Sequence, residues 1–269
     1  MIKTNRSLER GLLLLDILTR RGPNSLATLA RHAELPKATA YRLLLTLVEQ
    51  GWIYRRHNDG RYVPTLPSPM AAAQPALGAA VARLALPHLV ALSEATGLAA
   101  DLTWVIEDGV LEVIESTRQP GAGHVDPKVA GFRPSLAFSA PGRALLAASS
   151  DDVAARHLQH LMRTDSPAER HALTSGQLAS EILATRQRGY GVRARGYWPD
   201  SSDYGAEPMD IAVALAIKGH ALGCLSLVWP SAEHTASEMA GRHLVDMRGS
   251  ARKIASSVAK LELPSLKLA

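Results

Sequence analysis

The segment 25–64 constrains the fold most, because its pattern fits two helices, a sharp turn between them and then a hairpin. Ser25 is a good N-cap for the first helix, and Leu35-Pro36 separates the two helices because the residue before a proline avoids the helical conformation. The second helix is predicted over 36–50. Its apolar face contains Ala40, Leu43, Leu44 and Leu47. After it, Asn58-Asp59-Gly60 predicts the turn of a short hairpin, and this order of elements is typical of a winged helix-turn-helix.

Basic residues are concentrated in the same part of the chain. Residues 1–63 contain eleven Lys and Arg against five Asp and Glu, a net charge of +6, whereas the remainder carries nineteen against twenty, a net charge of −1. The formal charge of +5 for the whole chain therefore resides in its first quarter. A positive field concentrated in this way is what binding to nucleic-acid phosphates requires. We expect this segment to bind double-stranded DNA.

The expected DNA contacts lie on the outward face of the second helix and on the hairpin. A recognition helix contacts bases and phosphates mainly from its first turns. The predicted DNA-binding residues are Lys37, Thr39, Tyr41 and Arg42 on the helix and Arg55, Arg56 and Arg61 on the wing. The alternative is a small helical unit whose charges are only solvated, which the uneven charge distribution disfavours.

Length and composition limit the remaining possibilities. A chain of 269 residues is long enough for two domains, and 46% hydrophobic residues supply ample core. The single cysteine, Cys224, excludes an intramolecular disulfide and fits a reducing compartment. The basic N-terminus lacks a signal-peptide pattern, and the longest purely apolar run, 211–217, is too short for a membrane span. We expect a cytoplasmic protein without membrane contact.

Three segments are predicted along the chain: a winged helix-turn-helix over 1–64, a linker helix over 65–80 and an effector-binding domain over 81–269. The joint is placed at the proline-rich stretch 64–69. In the first helix, the residues expected to be buried are Leu8, Leu12, Leu15, Ile17 and Leu18. Further along, Pro75 and Pro87 are expected to break or kink the helical region 70–97.

The remainder of the chain mixes strands with helices. Strands are predicted over 99–105, 110–116, 125–130, 210–217 and 221–229, and helices over 141–148, 152–162, 175–188 and 235–260. Because no regular strand–helix–strand repeat occurs, the pattern favours helices packed on an antiparallel sheet. The expected fold class is α+β.

Five stretches together resemble the isocitrate-lyase-regulator (IclR-type) family of bacterial transcription factors. They are residues 7–18, 26–53, 139–147, 186–192 and 211–230, and they occur in the order seen in the family. The resemblance implies an N-terminal winged helix, a linker helix and a GAF-like effector-binding domain, in proteins that bind operator DNA as homodimers or as dimers of dimers. Ala38 departs from the family pattern, because many members have a serine there and its hydroxyl contact is lost.

The effector half is most similar to activators of aromatic-acid catabolism, such as those of the hydroxyphenylpropionate pathway. This closer likeness rests on residues 188–198, RGYGVRARGYW, and on residues 221–229, ALGCLSLVW.

No arrangement of residues in the sequence predicts catalysis. His157 and His160 lie three positions apart on a predicted helix, but a further ligand at metal-binding spacing is missing, so neither a metal nor a cofactor is expected. Cys224 lies in mid-strand without an adjacent base, as in a buried and unreactive thiol. The sequence contains no nucleotide-binding or serine-hydrolase motif. We therefore expect a binding protein and not an enzyme.

A ligand site is predicted at the start of the helix 141–148. Ser139 is the expected cap of this helix, and exposed N–H groups at a helix start can hold a carboxylate. The alternative is an ordinary capped helix. The family resemblance assigns effector contacts to Ala140, Pro141, Asp210 and Ser226, with Asp210 expected to accept a hydrogen bond from a ligand hydroxyl. The candidates for apolar walls, each equally plausible as core, are Trp104, Phe132 and Phe138.

These observations predict a ligand-responsive, DNA-binding transcriptional regulator whose effector is a small aromatic carboxylic acid. A regulator that responds to an aliphatic acid such as glyoxylate or pyruvate is the first alternative. An enzyme acting on a small acid is the second, and it lacks a matching catalytic constellation. A DNA-binding protein without a ligand is disfavoured by the large, nearly neutral second domain.

Overall fold

The computed structural model describes residues 5–65, 73–119, 129–163, 166–197, 207–217 and 220–261. The chain divides into two compact units, Met1–Arg83 and Leu84–Ala269. A helix-turn-helix lies in the first unit and an antiparallel sheet covered by helices in the second, which confirms the α+β class. The finer domain bounds 1–64, 65–80 and 81–269 stay a prediction.

The first unit contains three helices followed by a two-stranded hairpin. These elements are α1 (Arg6–Arg21), α2 (Leu26–His32), α3 (Lys37–Glu49), β1 (Ile53–Arg55) and β2 (Tyr62–Pro64). Ser25 caps α2 as predicted, because its side chain accepts a hydrogen bond from the Thr28 N–H. Between α2 and α3, Glu34 adopts a left-handed conformation with a φ of 53°, so the chain reverses within a few residues. The predicted helix-turn-helix and hairpin are both confirmed.

The core of the first unit joins all three helices and the hairpin. The fully buried side chains include Leu14, Leu18, Leu29, Leu44 and Ile53. The predicted burial of Ile17 and Leu18 is confirmed.

Burial of Leu8 and Leu12 was a wrong prediction, since 60% of Leu8 and 54% of Leu12 are exposed. Leu15 is only half-buried. The pattern of α1 contains two leucine-rich faces, and tertiary packing selects the one that carries Leu14.

A long helix, α4 (Ala73–Thr96), spans the division between the two units. It begins two residues before Pro75 and runs without interruption through Pro87, so neither proline breaks the helix. Its segment Leu77–Thr96 is long and apolar enough to cross a membrane by length and composition alone. Core helices of soluble proteins meet the same criterion, and Val81, Ala85 and Leu89 are fully buried.

The second unit is built on a five-stranded antiparallel sheet. Its strands are β3 (Ala99–Glu107), β4 (Val110–Ser116), β5 (Gly191–Val192), β6 (Pro208–Ile217) and β7 (His220–Pro230). Their order across the sheet is β4-β3-β7-β6-β5. The helices are α5 (Ala140–Ala148), α6 (Asp151–Arg163), α7 (Pro167–Thr174), α8 (Gln177–Arg188) and α9 (Ala236–Val258).

Helices cover both faces of this sheet. On one face, α5 packs against β6 and β7 and is itself flanked by α8. On the other face, α9 packs mainly against β6. Successive side chains of a strand point to opposite faces, so each strand contributes to both layers of the core.

Two elements were not predicted, α7 and the two-residue strand β5. The strand expected over 125–130 lies mostly outside the described residues, and residues 129–130 form a turn. The predicted start of the helix at Ser175 is also corrected, because Ser175 ends α7 and α8 begins at Gln177.

Candidate DNA-binding surface and effector site

The outward face of α3 carries the predicted DNA contacts. Ala40 and Leu44 are fully buried, which turns the opposite face of the helix outward. The exposed residues on that face are Lys37, Ala38, Tyr41, Arg42 and Leu45, while Thr39 is half-buried. Basic, aromatic and hydroxyl side chains there can contact phosphates and base edges.

Sequence reasoning did not identify Leu45, which is 44% exposed on the same face. It follows Arg42 by three positions and falls outside the buried stripe, and this spacing could have identified it. An apolar side chain on a recognition helix can contact the methyl group of a thymine.

The wing places its three arginines in different environments. Arg55 is exposed, and its Nε donates to the Gly60 carbonyl at 3.1 Å. Arg61 is also exposed, with its side chain 3.6 Å from the Asp59 carboxylate. Arg56 is only 9% exposed and its Nη2 donates to Asp59 Oδ2 at 2.7 Å. Arg56 therefore stabilises the turn from inside, and Arg55 and Arg61 are the wing arginines that face solvent.

The start of α5 is capped as predicted. The Ser139 side chain accepts a hydrogen bond from the Gly142 N–H at 3.0 Å, and Pro141 lies in the first turn. Residues Ala140 to Leu146 are all buried. Since Pro141 has no N–H and the Gly142 N–H is already bound, Ala140 supplies the remaining donor among the first three positions of the helix. The helix start thus offers fewer donors to a carboxylate than the sequence suggested.

Polar side chains lie on the sheet face that α5 covers. The Cys224 thiol donates to the Pro141 carbonyl at 3.2 Å, which fixes Cys224 on that face. Thr103 pairs with Cys224 across β3 and β7, and Asp101 pairs with Ser226. Because directly paired residues share a face, all four side chains lie beneath the start of α5 or next to it.

Two of these side chains are buried without a hydrogen-bond partner among the described residues. The Ser226 hydroxyl belongs to a residue that is 2% exposed, and the Thr103 hydroxyl to one that is 1% exposed. A buried hydroxyl without a partner is costly in free energy, so each one requires an explanation. A bound molecule that donates to or accepts from both hydroxyls would remove this cost.

Asp101 is part of a buried ion pair on the same face. Arg118 donates to both of its carboxylate oxygens, at 2.6 Å from Nη2 and at 3.2 Å from Nε. The Ser116 hydroxyl donates to Asp101 Oδ1 at 2.7 Å. Such a satisfied network fixes the polar edge of the site in one geometry.

Asp210 is occupied by a partner that the sequence analysis did not identify. The Arg193 Nε donates to the Asp210 carboxylate, and the Arg193 guanidinium lies 5.7 Å from the centre of the Tyr197 ring. Side-chain exposures of 6% for Arg193 and 3% for Asp210 make this a buried ion pair. In the sequence this ion pair is indicated only by two residues of opposite charge near the ends of predicted or short strands. Many pairs of surface residues show the same pattern.

The candidate apolar walls are separated by the fold. Phe138 is half-buried beside the start of α5, with its ring 5.9 Å from that of Tyr197. Phe132 is half-buried directly after the turn at 129–131, where its carbonyl accepts from the Val113 N–H. Trp104 pairs with Gly223 and so lies on the opposite face of the sheet from Thr103. The structure therefore places Phe138 at the site and Trp104 away from it.

The remaining reactive side chains have structural surroundings. Cys224 is buried, as predicted, and burial raises the pKa of its thiol. His157 is buried, and its Nδ1 accepts from the Gly109 N–H at 2.9 Å. Burial lowers the pKa of His157, although Asp108 partly opposes this effect. Within the ranges that the structure describes, no three His, Cys, Asp or Glu residues form a metal-binding group.

Two protein-family models match the chain. One, described as the IclR helix-turn-helix domain, matches residues 7–57. The other, described as the bacterial transcriptional regulator IclR C-terminal domain, matches residues 76–255.

Individual proteins are similar over nearly the whole chain. The probable transcriptional regulator SauR of Cupriavidus necator is 30% identical over 88% of this chain and 91% of its own length. The Pca regulon regulatory protein of Pseudomonas putida is 28% identical over 92% of this chain and 82% of its own length. A solved structure of an IclR homolog from Microbacterium hydrocarbonoxydans, complexed with 4-hydroxybenzoate, has a TM-score of 0.53 and 20% identity over 94% of this chain and 98% of that chain.

The two family models match segments in both units, and the two relatives bear the names of regulatory proteins. The resemblance predicted from the five sequence stretches is confirmed, as is the prediction that the protein is not an enzyme. The chain belongs to the IclR family of DNA-binding bacterial transcriptional regulators.

Proposed function

We propose that the protein regulates transcription by docking α3 in the major groove of operator DNA and by binding a small aromatic carboxylic acid in its second unit. The observation that carries the DNA-binding half of this proposal is the exposed face of α3, with Lys37, Tyr41 and Arg42, next to a wing with two solvent-facing arginines. Helix N-terminal residues reach base edges in this docking mode, and wing arginines contact phosphates or the minor groove.

The DNA half is tested by Arg42→Ala. If Arg42 contacts a base, the variant loses about 1–3 kcal/mol of specific affinity and little non-specific affinity. Arg21→Ala is the matched control, because Arg21 is exposed at the end of α1 and its removal changes the net charge equally. Equal weakening on specific and random DNA would reassign Arg42 to a phosphate, and unchanged affinity would refute the docking.

The effector half is supported by the two unpartnered hydroxyls, Ser226 and Thr103, beside the start of α5. An aromatic ring would pack against Phe138, and its carboxylate would accept from the Ala140 N–H. Polar substituents of the ligand would complete the hydrogen bonds of the two hydroxyls. The choice of an aromatic acid also draws on the solved relative with bound 4-hydroxybenzoate and on the likeness of residues 188–198 to regulators of aromatic catabolism.

Calorimetry with 4-hydroxybenzoate, 4-hydroxybenzamide and pyruvate tests this half. We expect the acid to bind more tightly than the amide, because the helix start favours a negative charge. Ser226→Ala is expected to weaken binding of the acid without lowering the stability of the unliganded protein, since it removes a hydroxyl that has no partner. Tight binding of pyruvate with no binding of the aromatic acid would refute the aromatic assignment and leave the DNA-binding half intact.

We further propose that two copies associate through α1 when they bind DNA. The outward face of this helix exposes three leucines, with 60% of Leu8, 54% of Leu12 and 42% of Leu13 accessible. A contiguous apolar face of this kind is expected at a contact between proteins, and a symmetric dimer matches a two-fold operator. Leu12→Glu is expected to shift the protein toward monomer in analytical ultracentrifugation and to weaken operator binding. A dimer unaffected by Leu12→Glu would refute the α1 contact.

A further inference from the structure

One edge of the sheet in the second unit is open over part of its length. The strand β5 pairs with β6 only through Gly191 with Ala212 and Val192 with Ile211. Beyond Ala212, β6 continues to Ile217, and on the side away from β7 no strand among the described residues lies beside this part of it. An open edge of this kind presents main-chain donors and acceptors that another strand can pair with.

The main-chain direction of β6 identifies the residues that carry these groups. The Arg193 N–H donates to the Asp210 carbonyl, so the main-chain N–H and C=O groups of Asp210 point away from β7. In an antiparallel ladder this direction alternates, so Ala212 and Ala214 also point outward, up to the register shift between Leu215 and Ala216. Ala212 is paired with Gly191, which leaves Ala214 as the open position before the register shift.

A cavity lies on each side of this edge. The first, of about 470 Å³, is formed between β6 and α9. The second, of about 280 Å³, is formed between β6 and the C-terminal ends of α5 and α8. Both cavities are lined by Val213, Ala214 and Arg248, so they meet at the strand edge. We call this continuous depression the β6 groove.

The β6 groove is lined by basic side chains and by small apolar ones. Its charged lining residues are Arg186, Arg248 and Arg252. Arg186 lies 3.3 Å from Asp151, while Arg248 donates to the Gly189 carbonyl at 3.2 Å and has no acidic partner among the described residues. At the rim, 79% of Val245 is exposed. Small alanine side chains line the groove and leave room for a chain to approach the edge.

We propose that the β6 groove binds an extended, acidic segment of another protein as an added strand. Main-chain pairing that begins at Ala214 would supply affinity, and acidic side chains at alternate positions would reach Arg248 and Arg252. Apolar side chains between them would pack toward Val245. A second copy of this chain fits the edge less well, because two-fold pairing of β6 with itself would bring the two sets of arginines together.

The test uses the full-length protein and a defined peptide, fluorescein-labelled Val-Asp-Val-Glu-Val-Asp-Val with a C-terminal amide, in fluorescence anisotropy. The same peptide with lysines in place of the acids should not bind. Arg252→Glu should weaken binding of the acidic peptide about tenfold, while Lys253→Glu, an equal charge change on the neighbouring exposed residue of α9, should change it less than about twofold.

A second variant tests the main-chain contact. Ala214→Pro removes an outward N–H, and a proline is tolerated where that N–H faces solvent at a sheet edge. It should weaken peptide binding about fivefold, as expected for one hydrogen bond.

Three results would overturn the proposal. One is the absence of peptide binding. Another is binding that neither Arg252→Glu nor Ala214→Pro weakens, which would place the peptide elsewhere, for example on the basic first unit. The third is a changed oligomeric state of either variant in ultracentrifugation, which would make the edge an interface between copies of this chain.

Discussion

Gly191→Ala is expected to destabilise the second unit by about 1–3 kcal/mol. Gly191 lies in β5 directly against α5, and a Cβ atom there would be 2.1 Å from the Ala140 carbonyl oxygen and 2.8 Å from the Ala144 nitrogen. Both neighbours are main-chain atoms of a helix, so no side chain can rotate to make room. Reaching an ordinary contact of 3.4 Å would require the helix start and the strand to separate by more than 1 Å, in a core that packs without such gaps.

The measurement is urea unfolding of the full-length protein, followed through the transition of the second unit. Gly249→Ala is the matched control, because Gly249 lies within α9 and no atom is within 4 Å of the added Cβ. That variant should be more stable by about 0.5–1 kcal/mol, since alanine favours a helix interior over glycine. If Gly191→Ala is as stable as the unmodified protein, the close approach of β5 to α5 is not a feature of the fold.

Three further predictions concern stability. Burial holds His157 neutral and lowers its pKa from 6.5. Its contribution to the free energy of unfolding is therefore complete above pH 6.5 and is lost as the pH falls below that value. His157→Gln should therefore flatten the acid decline of the unfolding free energy between pH 7 and 5, and an unchanged slope would contradict the burial of a neutral His157. Ser139→Ala removes the cap on the Gly142 N–H and should cost about 1 kcal/mol in urea unfolding, with Ser139→Asn losing less. Leu44→Ala should destabilise the first unit by about 2–5 kcal/mol in thermal unfolding, and a loss below 1 kcal/mol would show that the core of the first unit collapses around the cavity.

The local structure of the first unit could be predicted from the sequence. Helical spacing separates Ala40 and Leu44 from Arg42 on α3, and this separation requires no knowledge of the rest of the fold. Likewise, Ser25 caps α2 through the nearby Thr28 N–H, and Gly60 supplies the left-handed conformation of the wing turn. These features depend on interactions within a few residues, and such interactions are present in the sequence itself.

Other outcomes were decided only by packing between distant segments. The two leucine faces of α1 are equally apolar in sequence, and the positions of α2, α3 and the hairpin determine that Leu14 is buried and Leu12 exposed. The wing is a local case by contrast, because Asp59 lies three residues after Arg56, pairs with it and draws it into the turn.

The candidate effector site shows the same division. Its capped helix start at Ser139 was predictable, because the Ser139 hydroxyl that accepts and the Gly142 N–H that donates lie three residues apart. The assignment of Trp104 to the far face depends on the register between β3 and β7, and the Arg193–Asp210 ion pair depends on the short pairing of β5 with β6. A shift of one residue in either register would exchange the two faces of a strand. Strand register is set by long-range pairing and core packing, and it therefore becomes known only in the tertiary structure.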